Sequence, residues 1–188
     1  MSIRKLWFKR SRKHSTSSGD NCFAYSQWQE RYLRRSYEIE SRMTGTKVDV
    51  VVPVYNAEKS LSAFFETVQK TDIRFRLILI DDDSDDGTQK ILQQYASEHE
   101  NVDLIRNSQN IGVVGSINRG LAMARNHVVL LSTNVVLPQN WLDRLIAPIV
   151  KDPTVSSATP FTNNGSLCGF PLPGKNNSVF NHIPVDQI

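Results

Sequence analysis

The sequence predicts an α/β fold in which a mainly parallel sheet is covered by helices on both faces. Short apolar runs alternate with segments of helical periodicity from residue 47 to about residue 158. Strands that alternate with helices of ten or more residues imply right-handed βαβ crossovers and a parallel sheet. The 188 residues, 39% of them hydrophobic, are also enough to build the core of one such domain.

The predicted elements follow one another without long interruptions. Four apolar runs are the predicted strands: VDVVVPV at 48–54, RFRLILI at 74–80, VDLI at 102–105 and HVVLL at 127–131. A helix is predicted after each strand from the spacing of its apolar residues. The expected inward faces of these helices are Leu61, Phe64, Phe65 and Val68; Ile91, Leu92 and Tyr95; Val114, Ile117, Leu121 and Ala124; and Trp141, Leu142, Leu145, Ile146 and Ile149.

Composition divides the chain into a basic arm at 1–46, the α/β domain at 47–165 and an irregular tail at 166–188. The arm holds ten of the 22 Lys and Arg residues but only four of the 19 Asp and Glu residues. Within it, the spacing of Tyr25, Trp28, Tyr32 and Ile39 predicts an amphipathic helix that precedes the sheet. This helix either packs on a protein surface or contacts a membrane surface through its basic face.

Features of the termini and the cysteines bear on location and partners. The first fourteen residues carry six basic side chains but no continuous apolar run, so neither an export signal nor a membrane span is predicted. Cys22 and Cys168 lack a second pair, which disfavours a disulfide framework or a zinc site. We expect a cytoplasmic protein that can lie peripherally on the inner membrane. Nucleic acid is not an expected partner, because no groove-reading motif accompanies the basic charge.

The loop after the first predicted strand is one candidate site, because ligands of open parallel sheets bind at the carboxyl ends of the strands. Pro53 cannot donate a hydrogen bond to the sheet, and Tyr55 offers a ring face and a hydroxyl group. Asn56 follows. Taken alone, this loop is equally consistent with a turn in which Asn56 caps the next helix.

The loop after the second strand is strongly acidic and is the most informative feature of the sequence. LILI runs directly into DDDSDDGT at 81–88, where Asp86 and Gln89 resemble a capping box. Capping does not explain Asp81, Asp82 and Asp83. Because three adjacent carboxylates repel one another, we expect a cation, an amine or an N–H donor beside them. The N–H edge of a pyrimidine or guanine base is one such donor.

Two other motifs fit the same acidic loop less well. An EF-hand beginning at Asp82 would have Gln93 instead of Glu at its twelfth position, and a strand precedes it. A phosphatase of the haloacid dehalogenase type would use Asp81 as nucleophile and Asp83 as acid. That motif normally begins its domain, whereas here a complete βα unit precedes the loop.

Three ordered segments closely resemble the amino-terminal half of family 2 glycosyltransferases over about residues 47 to 165. They are VDVVVPVYNAEKSL, LILIDDDSDDGT and NSQNIGVVGSINRGLAMARNHVVLLSTNVVLPQNWLDRL. The resemblance implies an incomplete Rossmann-like GT-A fold, a nucleotide-sugar donor and a saccharide or lipid-linked acceptor, as in cell-surface polysaccharide synthesis. It also implies, position by position, that the donor nucleotide is bound by Pro53, Tyr55, Asn56, Asp81, Asp82, Asn110, Gly112 and Asn118.

The sequence departs from the family at the expected metal motif. One or two Asp residues that hold Mg²⁺ or Mn²⁺ on the donor diphosphate should follow the fourth strand, where Ser132, Thr133 and Asn134 stand instead. Neutral oxygens alone should bind such a cation weakly. Asp143 belongs to the next helix, for which Asn140 is the expected N-cap, so a structural role is predicted for it.

A second departure concerns the acceptor half, which in this family follows the metal loop and carries the general base. After Pro160 the one acidic residue is Asp186, so no catalytic residue is assigned. The segment TPFTNN, with Thr162, Asn163 and Asn164, resembles the stretch after the fifth strand of some bacterial members. Two hypotheses remain: an active sugar transferase, or a catalytically defective or truncated relative that acts as a nucleotide-binding or interaction module.

Overall fold

The computed structural model describes residues 45–160 together with Thr162, Cys168 and Gly174. In this part of the chain the strands are β1 (Val48–Val54), β2 (Phe75–Asp81), β3 (Val102–Arg106) and β4 (His127–Leu130). The helices are α1 (Glu58–Val68), α2 (Thr88–Glu98), α3 (Gly112–Met123) and α4 (Trp141–Lys151). The predicted α/β fold is confirmed, and each strand lies within one residue of its predicted bounds. The predicted arm helix, Cys22, Asn163, Asn164 and Asp186 lie outside the described residues.

The strands form a parallel sheet in the order β3-β2-β1-β4. The chain moves outward from β1 to β3, and α3 then carries it back to the far side of β1. This reversal makes the carboxyl ends of β1 and β4 a topological switch point, where ligands of open α/β sheets bind. The loops that follow the strands therefore meet at one edge of the sheet.

The two faces of the sheet are unequal. Alternate residues of β1, beginning with Val48 and ending with Val54, point into the larger core, where they meet buried residues of α1, α2 and α4. The opposite face presents Val51, Ile78 and Ile80 to α3. One face is thus packed by three helices, and the other is covered in the described structure by one.

The inward face predicted for α3 is wrong. Its buried residues are Ser116 and Gly120, whereas Val114 is 67% exposed. A Cβ at Gly120 would lie 2.4 Å from a methyl carbon of Val51, so only a glycine lets the helix approach β1 this closely. The sequence pattern misled because small residues, not large apolar ones, form this contact.

The apolar stripe of α3 lies on a flank of the helix. On the other flank, Arg119 donates a hydrogen bond to the carbonyl of Arg106 at the end of β3 (3.2 Å). At about 100° per residue, Val114 and Leu121 point away from the flank that carries Arg119. The β4 residue Leu130 is paired with Val51 in the sheet and is also exposed. Exposed apolar residues therefore occur on both α3 and β4 in the described structure.

One of the two predicted helix caps is wrong, and the other is confirmed in position. Gly87 precedes α2, and Asp86 instead accepts hydrogen bonds from the N–H groups of Thr88 (2.9 Å) and Glu58 (3.3 Å). Asn140 does occupy the N-cap position of α4, but with a φ of 56° and without a side-chain capping bond.

The structural role predicted for Asp143 is confirmed. Its carboxylate accepts hydrogen bonds from the hydroxyl of Thr71 (2.6 Å) and from the N–H of Asp72 (3.3 Å). These contacts fasten α4 to the segment that leads into β2.

The packing predicts that two substitutions to alanine differ in their effect on stability. Leu79→Ala removes a fully buried side chain of β2 and should lower the free energy of unfolding by about 2–5 kcal/mol. Val114→Ala, on the exposed stripe, should lower it by about 0.5 kcal/mol or less. Urea denaturation followed by circular dichroism measures both. A loss above about 2 kcal/mol for Val114→Ala would show that this side chain is buried in solution.

Candidate functional site

The loops after β1 and β2 lie side by side at the carboxyl edge of the sheet. Val54 is the register partner of Asp81, and the N–H of Asp82 donates to the carbonyl of Val54 (2.8 Å). Pro53 is partly buried at the end of β1, and Tyr55 is 52% exposed. The two loops that the sequence singled out are therefore neighbours.

Asn56 links these two loops. Its N–H donates to the hydroxyl oxygen of Ser84 (3.1 Å), and its side-chain oxygen accepts from the N–H of Asp85 (3.0 Å). A third bond, from the N–H of Ala57 to the hydroxyl oxygen of Thr88 (2.8 Å), lies beside them. Asn56 does not cap α1, whose N-cap is Ala57. Its φ of 45° lies in the left-handed region, which Asn tolerates better than most residues.

Asp82 is buried between β2, the end of β3 and the turn before α3. Oδ1 accepts a hydrogen bond from the side-chain amide of Asn107 (2.6 Å) and another from the N–H of Ile111 (2.9 Å). The same amide group of Asn107 also donates to the hydroxyl of Ser116 (2.8 Å). Only 2% of Asp82 is exposed, so these donors replace the water that its carboxylate would otherwise need.

The protonation state of Asp82 follows from these contacts. Burial by itself would raise the pKa of its carboxyl group. Hydrogen bonds from the N–H of Ile111 and from the side chains of Asn107 and Ser116 outweigh burial, and they hold the pKa below its ordinary value of 3.8. Asp82 is therefore a carboxylate at neutral pH, fixed in place before any ligand binds.

The other two adjacent carboxylates share one cation, Arg106. Asp81 is 1% exposed and accepts from Arg106 (2.5 Å) and from the N–H of Ser84 (3.0 Å). Asp83 has a φ of 63° and accepts from the same guanidinium (2.8 Å). The sequence predicted a cation or N–H donors beside this loop but did not identify Arg106. The sequence contains no direct signal for it, because Arg106 becomes the register partner of Asp81 only when β3 pairs with β2 in the sheet.

The turn before α3 contacts the acidic loop, but Asn118 does not. The side chain of Asn110 accepts from the N–H of Gly112 (3.0 Å), and Gly112 has a φ of 77°, which favours glycine. Ile111, between them, donates to Asp82. Asn118 is exposed on α3, and its side chain points about 200° around the helix from Ser116, away from this cluster.

The loop after β4 offers neutral oxygens only. Thr133 is buried and Asn134 is exposed, and the hydroxyl oxygen of Ser132 accepts from the N–H of Asn134 (3.4 Å). No Asp or Glu occurs between Asp103 and Asp143. Over the described residues, no three His, Cys, Asp or Glu side chains are grouped to hold a metal ion. This donor set fits a divalent cation poorly.

The edge as a whole combines fixed hydrogen-bond acceptors with an exposed aromatic ring. The carboxylates of Asp81, Asp82 and Asp83 are held by protein donors, and the Tyr55 ring lies at the end of the neighbouring strand. A planar group with N–H donors along one side can hydrogen-bond such acceptors while stacking on the ring. These features suit recognition of a heterocyclic base.

The family model described as "Glycosyl transferase family 2" matches residues 49–176. Over 107 residues the chain is 35% identical to the undecaprenyl-phosphate 4-deoxy-4-formamido-L-arabinose transferase of Proteus mirabilis, covering 54% of this chain and 33% of that protein. Over 129 residues it is 24% identical to the dolichol-phosphate mannosyltransferase of Pyrococcus furiosus, covering 67% of this chain and 36% of that protein. The chain is also 33% identical to the poly(ribitol-phosphate) beta-glucosyltransferase of Bacillus spizizenii, in a match that covers 45% of this chain and 14% of that protein. The chain thus spans about a third of these relatives' length, or less.

Solved structures share the fold. The mannosyltransferase PcManGT from Pyrobaculum calidifontis, in complex with GDP-Man and Mn²⁺, matches with a TM-score of 0.51 and 25% identity, covering 57% of this chain and 33% of that one. TarS from S. aureus, in complex with UDP, matches with a TM-score of 0.50 and 26% identity, covering 55% and 32%. Both similar structures therefore contain a nucleotide, and one contains a divalent cation.

The contacts of Asp82 predict a pH-dependent contribution to stability. A carboxylate with a lowered folded-state pKa stabilises the fold above its unfolded pKa, and this contribution is lost as the pH falls through the folded pKa. Asp82→Asn should therefore lower the free energy of unfolding by about 1.5–3 kcal/mol at pH 7. The difference from wild type should shrink below pH 3.8. Urea denaturation at several pH values measures it.

Asp85→Asn is the matched control, because it removes the same charge from an exposed side chain of the same loop. It should leave the free energy of unfolding within about 0.5 kcal/mol of wild type. Equal losses for the two variants, or a loss for Asp82→Asn that is independent of pH, would contradict the assigned role of Asp82.

Proposed function

Because the chain belongs to glycosyltransferase family 2, we propose that it recognises the nucleotide-sugar donor in the transfer of a sugar to a saccharide or lipid-linked acceptor. The observation that carries this proposal is the Asp82 carboxylate, which is buried, ionised and fixed at the carboxyl end of β2. A preformed acceptor at this place suits the N–H edge of a pyrimidine or guanine base.

The base would lie between the loops after β1 and β2. The hydrogen bonds from Asn107 and Ile111 reach Oδ1 of the Asp82 carboxylate, and we propose that its other oxygen, Oδ2, accepts from the base. The exposed ring of Tyr55 would stack on it, with Pro53 beside the ring. Asn56 and Asp81 would act by holding the loops, and Asn110 and Gly112 would shape the turn that donates to Asp82. Asn118, which points away, would not contact the base.

The names of the relatives indicate the acceptor class. One similar enzyme is named for undecaprenyl phosphate, another for dolichol phosphate and a third for poly(ribitol phosphate). A role in cell-surface polysaccharide synthesis is consistent with all three. Contact with the inner membrane from the cytoplasmic side, through the basic arm at 1–46, would bring the chain close to a lipid-linked acceptor. Within the described part of the chain, no helix is long and apolar enough to cross a membrane.

A second candidate function is nucleotide binding without sugar transfer. The neutral loop at Ser132, Thr133 and Asn134 favours it, because a departing nucleoside diphosphate develops negative charge that a metal ion or cationic group normally stabilises. Mg²⁺ or Mn²⁺ is expected from the family, and the mannosyltransferase structure contains Mn²⁺. The neutral oxygens of the loop after β4 offer that cation no negative charge. Recognition of the nucleotide is therefore better supported than transfer of the sugar.

Nucleotide binding should depend on Asp82 much more than on overall loop charge. Calorimetric titration of UDP, GDP and their sugar conjugates, with Mn²⁺ present, should show binding of at least one by wild type. Asp82→Asn should weaken that binding by about 10- to 100-fold, as expected from the loss of about 1.5–3 kcal/mol in a charge-assisted hydrogen bond. Asp85→Asn should change it less than about twofold, since its charge is removed from an exposed position.

Donor hydrolysis and transfer, measured separately on the same samples, distinguish the two candidate functions. Turnover on the order of 1 per second, ordinary for an enzyme, would exclude the second candidate. Binding without turnover would support it. Failure of every tested nucleotide to bind would exclude both.

The neutral β4 loop predicts weak metal dependence that one substitution should increase. Asn134→Asp adds a carboxylate at the exposed position of this loop, and carboxylates are preferred ligands of divalent cations. Mn²⁺ should then tighten nucleoside diphosphate binding by about tenfold more than in wild type, equivalent to about 1.4 kcal/mol. Calorimetry with Mn²⁺ or with a chelator measures the difference, and Asn134→Ala is the control. Strong Mn²⁺ dependence in wild type itself would contradict this account of the loop.

A further inference from the structure

We propose that Arg106 is the positioning residue for nucleotide recognition, because its guanidinium neutralises Asp81 and Asp83 and thereby fixes Asp82, which lies between them. Arg106 would not touch the nucleotide. The inference rests on the proposed function, since it assumes that Asp82 faces the donor. It assigns a role to a residue at the end of β3, outside the loops that follow β1 and β2.

The contacts of Arg106 span the whole acidic loop. One guanidinium nitrogen reaches Oδ2 of Asp81 at 2.5 Å, and the other reaches Oδ1 of Asp83 at 2.8 Å and the carbonyl oxygen of Ser84 at 3.0 Å. One side chain on β3 therefore holds three acceptors of the neighbouring loop. Because the guanidinium is planar and presents its donors in a fixed fork, these contacts fix the direction of the loop as well as its charge.

Asp81 has Arg106 as its charged hydrogen-bond partner. Asp81 is almost completely buried, and its other hydrogen-bond donor is the uncharged N–H of Ser84. A buried carboxylate that loses its cation is left uncompensated, which favours its movement toward water. That movement would disturb the backbone at Asp82, the next residue along the chain.

Asp83 combines an uncommon backbone conformation with an ion pair to Arg106. Its φ of 63° is uncommon for a residue with a side chain, and its side chain is 41% exposed, so packing does little to hold it. Its side chain is held by the ion pair with Arg106. Both neighbours of Asp82 are thus tied to the same guanidinium.

The residue after Arg106 completes the arrangement. Asn107 donates its N–H to the carbonyl of Asp81 (2.8 Å) and its side-chain amide to Asp82 (2.6 Å). The two consecutive residues Arg106 and Asn107 therefore serve all three adjacent carboxylates. A substitution of Arg106 should therefore affect the position of Asp82 by two routes, the backbone of the acidic loop and the neighbouring Asn107 at the end of β3.

The experiment compares UDP and GDP binding, by calorimetry on the full chain, for wild type, Arg106→Lys and Arg106→Gln. We expect Arg106→Gln to weaken binding at least tenfold. Arg106→Lys should have an affinity between those of wild type and Arg106→Gln, because lysine keeps the charge but lacks the forked donors of a guanidinium. Asp81→Asn, added to Arg106→Gln, should recover part of the affinity by removing the uncompensated buried charge.

Arg76→Gln is the matched control. Arg76 pairs with Asp103 and so joins β2 to β3, as Arg106 does, but near the amino ends of the strands. Arg76→Gln should change the affinity for the nucleotide less than twofold. Binding by Arg106→Gln within twofold of wild type would overturn the inference, as would equal losses of affinity in Arg106→Gln and Arg76→Gln.

A second measurement needs no ligand and separates this inference from the proposed function. Hydrogen exchange of the Ser84 amide, which donates to Asp81, should become at least tenfold faster in Arg106→Gln and stay unchanged in Arg76→Gln. If wild type bound neither nucleotide, the proposed function would fail, while faster Ser84 exchange would still show that Arg106 positions the loop. Unchanged Ser84 exchange in Arg106→Gln would overturn the positioning role whether or not nucleotides bind.

Discussion

The buried carboxylate of Asp82 is the interaction on which the carboxyl edge of the sheet depends. A charge at this depth is costly unless donors replace its lost water, and here the donors come from the end of β3 and from the turn before α3. The same bonds that satisfy the charge therefore fix where α3 begins. From that point α3 crosses back over β1, where Gly120 lets it pack against Val51, and the position of β4 follows.

In the acidic loop, three carboxylates that repel one another are held in a single conformation. Asp81, Asp82 and Asp83 would repel one another strongly if each faced the solvent, yet each is held by a different combination of donors. No buried side-chain nitrogen or oxygen among the described residues lacks a hydrogen-bond partner. The loop is thereby organised before a ligand arrives, which lowers the ordering cost of binding. The β4 loop contains no comparable charge, so the edge supports the proposed recognition better than it supports stabilisation of a leaving group.

The strands and the candidate loops could be predicted from the sequence because both depend on local pattern. The apolar runs are short and sharply bounded, and the acidic residues follow one of them directly. The inward face of α3 could not be predicted in this way, because Ser116 and Gly120 allow close packing that hydrophobic spacing does not reveal. The roles of Arg106 and Asn107 were missed for a related reason. They depend on which strand lies next to β2, and strand order is a property of the whole fold.

Mapping the bound nucleotide by NMR tests the central claim most directly. During titration with UDP or GDP, the amide signals of Tyr55, Asp82 and Ile111 should shift in proportion to occupancy. The amides of Arg125 and Asn126, which donate to Asp49 near the amino end of β1, should not shift. Shifts centred on Arg125 and Asn126, or none at any residue of the carboxyl edge at millimolar nucleotide, would contradict the account.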